Sequence, residues 1–149
     1  MPRTATVLLT SLLWAGLASA HTDDYLDTMQ APHGGQLRMA GAYHLELVVD
    51  KSTPQAADKP VVVYVTDHAG QKVSTESATG NATILAAKGK ASVALVPDGD
   101  NRLKGTGRYA STADMKAIVQ FTAKGQSPET ARFTPLLKPM EAHMDHAKH

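Results

Sequence analysis

Three side chains able to hold a transition metal fall close together in the stretch His33-Gly34-Gly35-Gln36-Leu37-Arg38-Met39-Ala40-Gly41-Ala42-Tyr43-His44-Leu45-Glu46: the imidazoles of His33 and His44 and the carboxylate of Glu46. The Gly34-Gly35 step lets the backbone turn sharply, so His33 stands at the mouth of a turn and is free to swing. His44 and Glu46 are two residues apart in an alternating run, which on a strand puts both on one face. Imidazole together with carboxylate accepts copper, zinc, nickel or cobalt.

Two further donor sets lie towards the chain ends. His21 follows Ala18-Ser19-Ala20, an A-x-A cleavage pattern. As the first residue of a mature chain, His21 would offer its free amine and ring nitrogen as a chelate, and His33 or His44 would complete a planar nitrogen set suited to Cu(II). The other end reads Met140-Glu141-Ala142-His143-Met144-Asp145-His146-Ala147-Lys148-His149. There His143, His146 and His149 supply imidazole for Cu(II), and Met144 a thioether for Cu(I). On a helical turn His143 and His146 are neighbours, as are His146 and His149. His68, in Asp67-His68-Ala69-Gly70, reads as a turn residue.

Composition narrows the chemistry. The 149 residues include no cysteine, which excludes thiolate zinc and blue-copper centres, disulfides and cysteine nucleophiles. Basic and acidic side chains number 15 and 14, and Arg3 is the sole charged residue of the first 20, so the remainder balances. That balance favours neither a nucleic-acid partner nor attraction to an anionic membrane. No G-x-S-x-G elbow is present, and Gly105-Thr106-Gly107 sits in a β region without the helix that a phosphate loop requires. No turnover is expected. The enzymatic alternative is a copper oxidase built on the His21 chelate, against which the 5% aromatic content weighs.

These residues must be positioned by a single domain. Residues 1–20 read as a cleaved secretory signal, with Arg3 followed by an apolar stretch too short to span a membrane. The expectation is a periplasmic protein with no membrane insertion once the signal is removed. Residues 21–35 form an extended arm with at most one helical turn, because Pro32 ends any helix. Residues 36–134 carry short apolar runs separated by turn signals, the pattern of an all-β, immunoglobulin-like sandwich of seven to eight strands. The runs are Gln36–Met39, Tyr43–Val49, Val61–Thr66, Ala82–Ala86, Ala91–Val96, a fainter Gly107–Ala110, Met115–Thr122 and Ala131–Phe133. Residues 135–149 form a disordered His/Met-rich tail.

Alternation sends Tyr43, Leu45, Leu47 and Val49 to the core and His44 and Glu46 outward. If Leu37 and Met39 join the same core, Met39 pairs with Tyr43 across a three-residue loop, Ala40-Gly41-Ala42. That register sets Arg38 opposite His44 and Gln36 opposite Glu46, with Arg38 and Glu46 diagonal neighbours able to form a surface ion pair. A fixed cation beside His44 disfavours a metal ion there.

Several segments in this order resemble a family of small bacterial periplasmic proteins and domains associated with heavy-metal resistance, some of them parts of adaptor subunits of resistance-nodulation-division metal-efflux systems. They are Ala31-Pro32-His33-Gly34-Gly35, Ala40-Gly41-Ala42-Tyr43-His44-Leu45-Glu46-Leu47-Val48, Val63-Tyr64-Val65-Thr66-Asp67-His68-Ala69-Gly70 and Pro97-Asp98-Gly99-Asp100-Asn101-Arg102-Leu103. The likeness runs from Ala31 to Thr134. It implies a periplasmic β-sandwich that binds or hands over a transition metal near an efflux pump, with His33 and His44 as the motif histidines. The reading is therefore a copper-binding protein of metal buffering, delivery or resistance, using His33, His44, Glu46 and His21 with the tail as a weaker collecting site. The alternative is a non-catalytic module that docks on a metal-efflux complex.

Overall fold

The computed structural model describes residues 22–138. The signal peptide read over residues 1–20, and the candidate ligands His21, His143, Met144, His146 and His149, lie outside the described residues. A short helix, α1 (Asp23–Asp27), precedes eight strands: β1 (Gln36–Ala40), β2 (Tyr43–Val49), β3 (Ala57–Asp67), β4 (Thr79–Ala86), β5 (Gly89–Pro97), β6 (Arg102–Tyr109), β7 (Lys116–Thr122) and β8 (Glu129–Phe133). Each run read from alternation falls on a strand, although β6 covers Arg102–Tyr109 where the run read was Gly107–Ala110, and the all-β class holds. No helix among the described residues is long and apolar enough to cross a membrane.

All neighbouring strands are antiparallel, in the order β1-β2-β3-β6-β5-β4-β7-β8. The sheet is nearly closed, because β1 and β8 meet at a seam where the Thr134 backbone N–H donates to Gln36 Oε1 at 2.8 Å. It narrows between β5 and β6, which pair through Val96↔Lys104 and Pro97↔Leu103. Beyond those pairs the two strands still cross closely. A Cβ on Gly105 would stand 2.3 Å from the Ala94 carbonyl oxygen, and one on Gly107 2.4 Å from Val93 Cγ2. The glycine pair of β6 is thus a packing requirement.

Inside the sheet, Leu45, Leu47 and Val49 of β2 stand opposite Val65, Val63 and Val61 of β3. Ile84, Val93, Leu103, Val119, Phe121 and Phe133 complete the filling. Burying each such side chain stabilises the fold by about 1.5–3 kcal/mol. Pro60 lies inside β3. Pairing with β2 ends at Val49↔Val61, so residues 57–60 have β6 on one side alone, and a strand edge tolerates a residue without an N–H.

The loop between β2 and β3 is pinned by a polar cluster. Tyr109 Oη donates to the Pro60 carbonyl at 2.6 Å and accepts from the Asp50 N–H at 2.9 Å, and burial pushes its titration upward. Beside it the buried Lys59 Nζ donates to the Thr53 carbonyl at 2.8 Å and to Ser111 Oγ at 2.7 Å.

The β1–β2 hairpin departs from the register expected above. Its pairs are Ala40↔Tyr43, Met39↔His44, Arg38↔Leu45, Leu37↔Glu46 and Gln36↔Leu47, across the two-residue loop Gly41-Ala42. Gly41, at φ +58°, takes the first central position, as a II′-type hairpin turn requires. Its lack of a side chain also makes room for the Glu129 carboxylate of β8, which would lie 2.3 Å from an added Cβ. Leu37 and Met39 consequently share a face with His44 and Glu46. That face is not open to water, because the arm lies across it: Met29, Gln30 and Pro32 border a pocket with Leu37, His44 and Glu46. Leu26 of α1 is 1% exposed yet stands outside the main core. The sequence reading assumed one apolar interior; the arm makes a second one.

Arg38 is accordingly neither opposite His44 nor paired with Glu46. Its guanidinium donates to Asp27 Oδ1 at 2.7 Å and approaches Asp23 Oδ2 at 3.8 Å, fastening α1 to β1. Gln36 goes to the seam instead of to Glu46.

Candidate functional site

Glu46 and His44, at successive positions on one face of β2, each pair with a histidine from outside the strand. The first pair is Glu46 with His33. Glu46 is 3% exposed, and so buried a carboxylate must be met by donors. The His33-Gly34-Gly35 turn provides them. Glu46 Oε1 accepts the backbone N–H of His33 at 2.8 Å and that of Gly35 at 3.1 Å, while Oε2 lies 2.8 Å from His33 Nδ1. Gly34 makes this convergence possible with φ +73°, and Gly35 packs so closely on β2 that an added Cβ would lie 2.4 Å from the Leu47 carbonyl oxygen.

The arrangement fixes a tautomer. A carboxylate oxygen can only accept, so Nδ1 carries the proton and neutral His33 keeps its lone pair on Nε2. The ring is further held by stacking on Tyr64, with centroids 3.5 Å apart and planes 2° from parallel. Tyr64 stands opposite both Glu46 on β2 and Arg102 on β6. The Arg102 guanidinium is held above its ordinary basicity, first by its hydrogen bond to Tyr64 and then by Asp98 at 2.8 Å. His33 itself keeps 41% of its side chain exposed. It is a fixed imidazole with an accessible edge.

The second pair is His44 with His68. Their rings stack with centroids 5.0 Å apart and an angle of 25°. His68 Nε2 lies 3.2 Å from the Gly41 carbonyl, which can only accept, so Nε2 carries the proton and neutral His68 keeps its lone pair on Nδ1. His44 is 6% exposed, buried under the arm. His33, Glu46 and His44 share a pocket of about 140 Å³ that Met29, Pro32, Leu37 and Tyr64 also border.

Of the candidates read from sequence, the structure brings His33, His44 and Glu46 to one pocket. Glu46 stands there as the support of His33, with both carboxylate oxygens engaged. Among the described residues, no group of three or more His, Asp or Glu side chains is arranged to hold a metal ion. His68, Tyr64 and Met29 belong to the site although they were not candidates. Parity could have found two of them: Tyr64 and Thr66 alternate along β3, His68 follows one residue past its end in the same parity, and Thr66 is the partner of His44. No family model matches this chain, and neither a curated protein nor a solved structure is found to match it.

Proposed function

We propose that this protein binds a transition metal, copper foremost, in the periplasm, and buffers or delivers the ion in metal resistance. The observation that carries the reading is the Glu46–His33 pair. A buried carboxylate that holds Nδ1 and leaves Nε2 as the donor is the arrangement by which proteins orient a metal-binding imidazole and raise its basicity. His44 at the same pocket offers a second imidazole. The heavy-metal-resistance resemblance of the segments around His33 and His44 points the same way, as does the His/Met content of residues 140–149. His21, as a mature terminus, would add the amine chelate.

The test is a competitive loading of the purified protein with copper, zinc, nickel and cobalt together, repeated on His33→Ala and on a chain altered at His143, Met144, His146 and His149. Copper dominance, lost stepwise in the two variants, supports the reading. Undiminished copper affinity in both sinks it and leaves a module that docks on a metal-efflux complex.

A further inference from the structure

Resting on the metal-binding reading, we propose that the pocket beneath the arm is a Cu(I)-selective site, with Met29 Sδ and His33 Nε2 as its ligands and His44 at its inner wall. Three observations carry this. First, Met29, His33 and His44 border one small pocket, and Met29, although apolar, is 46% exposed at its mouth. A thioether is a soft donor that discriminates for Cu(I) over Zn(II), Ni(II) or Co(II).

Second, the described residues offer no cluster of three or more His, Asp or Glu. Divalent zinc, nickel and cobalt call for a fuller shell of nitrogen and oxygen donors, whereas Cu(I) is satisfied by few donors when these are imidazole and thioether. Third, the pocket is walled by Pro32 and Leu37 as well as by Met29. A strongly hydrated divalent ion loses more on entering such walls than a weakly hydrated monovalent one. The Glu46 carboxylate beneath His33 then supplies one negative charge against one positive charge.

The arm is what completes the site. Met29 follows α1, whose Asp27 and Asp23 grip Arg38, so the helix latch fixes the stretch that brings Met29 to the pocket of His33. Residues from the arm and from the His33 turn are thus brought together by a contact neither makes itself.

The experiment uses the full chain with His143→Ala, Met144→Leu, His146→Ala and His149→Ala, so that the tail cannot compete. It is titrated without oxygen with Cu(I) against a chromophoric chelator, and with Ag(I) while the Met29 methyl and His33 ring resonances are followed. Both resonances are expected to shift with a single bound ion. Met29→Leu, a swap that conserves volume, is expected to weaken Cu(I) by at least about tenfold and to leave Zn(II) affinity unchanged. Cu(I) affinity indifferent to Met29→Leu, with a stationary Met29 methyl, overturns the Cu(I) site while leaving metal binding standing. If His33→Ala alters the affinity for none of Cu(I), Cu(II) and Zn(II), both readings fall.

Discussion

Glu46 holds His33 twice: Oε1 takes its backbone N–H and Oε2 its ring Nδ1, each at 2.8 Å. One carboxylate therefore sets both the path of the turn and the tautomer of the imidazole. Glu46→Gln separates these roles, because an amide oxygen still accepts the two turn N–H groups while the amide nitrogen donates to Nδ1 and moves the ring proton to Nε2. Metal affinity is expected to fall by about 10–100-fold, with stability lowered by about 1–2 kcal/mol. Competition titration, urea unfolding and the ¹⁵N shifts of the His33 ring read the three effects.

The two glycines of the turn differ in what they tolerate. Gly34→Ala meets open space and bears just the left-handed backbone, at a cost of about 1–2 kcal/mol. Gly35→Ala drives a methyl to within 2.4 Å of the Leu47 carbonyl, a backbone atom that cannot swing aside. It is expected to cost about 3 kcal/mol or more and to pull the Gly35 N–H off Glu46. Thermal unfolding of the two variants side by side tests the ranking.

The arm is latched by Arg38. Asp27 is half exposed, so Asp27→Asn is expected to cost less than about 1 kcal/mol. Arg38→Ala removes the buried stem as well as the charge and is expected to cost about 1–2 kcal/mol. The distinguishing measurement is local: hydrogen exchange and proteolysis across residues 22–33 accelerate strongly in Arg38→Ala, while the β3 and β7 amides stay protected.

Tyr109 sets an alkaline limit. Burial raises its titration above the ordinary value near 10, so the folded state favours the neutral hydroxyl. Its contribution is complete below pH 10 and is lost as pH rises through the raised folded value. Tyr109→Phe leaves the Asp50 N–H and the Pro60 carbonyl without their partner and is expected to cost about 1–2 kcal/mol near neutrality. Urea midpoints measured from pH 7 to about pH 11 should decline less steeply in this variant than in the parent.

Alternation made all eight strands and the outward face of His44 and Glu46 legible in the sequence, because a half-buried strand must repeat every two residues. The β1 register was not legible. Leu37 and Met39 are apolar, and nothing in their spacing tells an interior closed by strands from one closed by an arm with Leu26 and Met29. A one-residue difference in loop length then reversed the whole face. Glu46 posed the same difficulty in chemical form. Spacing places a carboxylate near His33 and His44, but whether it faces an ion or a ring nitrogen depends on the path of Gly34 and Gly35. The pairing of His44 with His68 lay hidden behind the turn chemistry of Asp67-His68-Ala69-Gly70.

The seam between β1 and β8 bears on the order in which the chain assembles. The Gln36–Thr134 hydrogen bond joins residues 98 apart, and contacts of such separation form late, once nearer ones have lowered the entropy of bringing them together. β1 carries the His33 turn and the Arg38 latch, yet it gains its second neighbour only when β8 is in place. The Glu46–His33 contact, 13 residues apart, can form before that seam does, so a chain caught before β8 docks carries the imidazole cradle on an edge strand that still lacks its second neighbour.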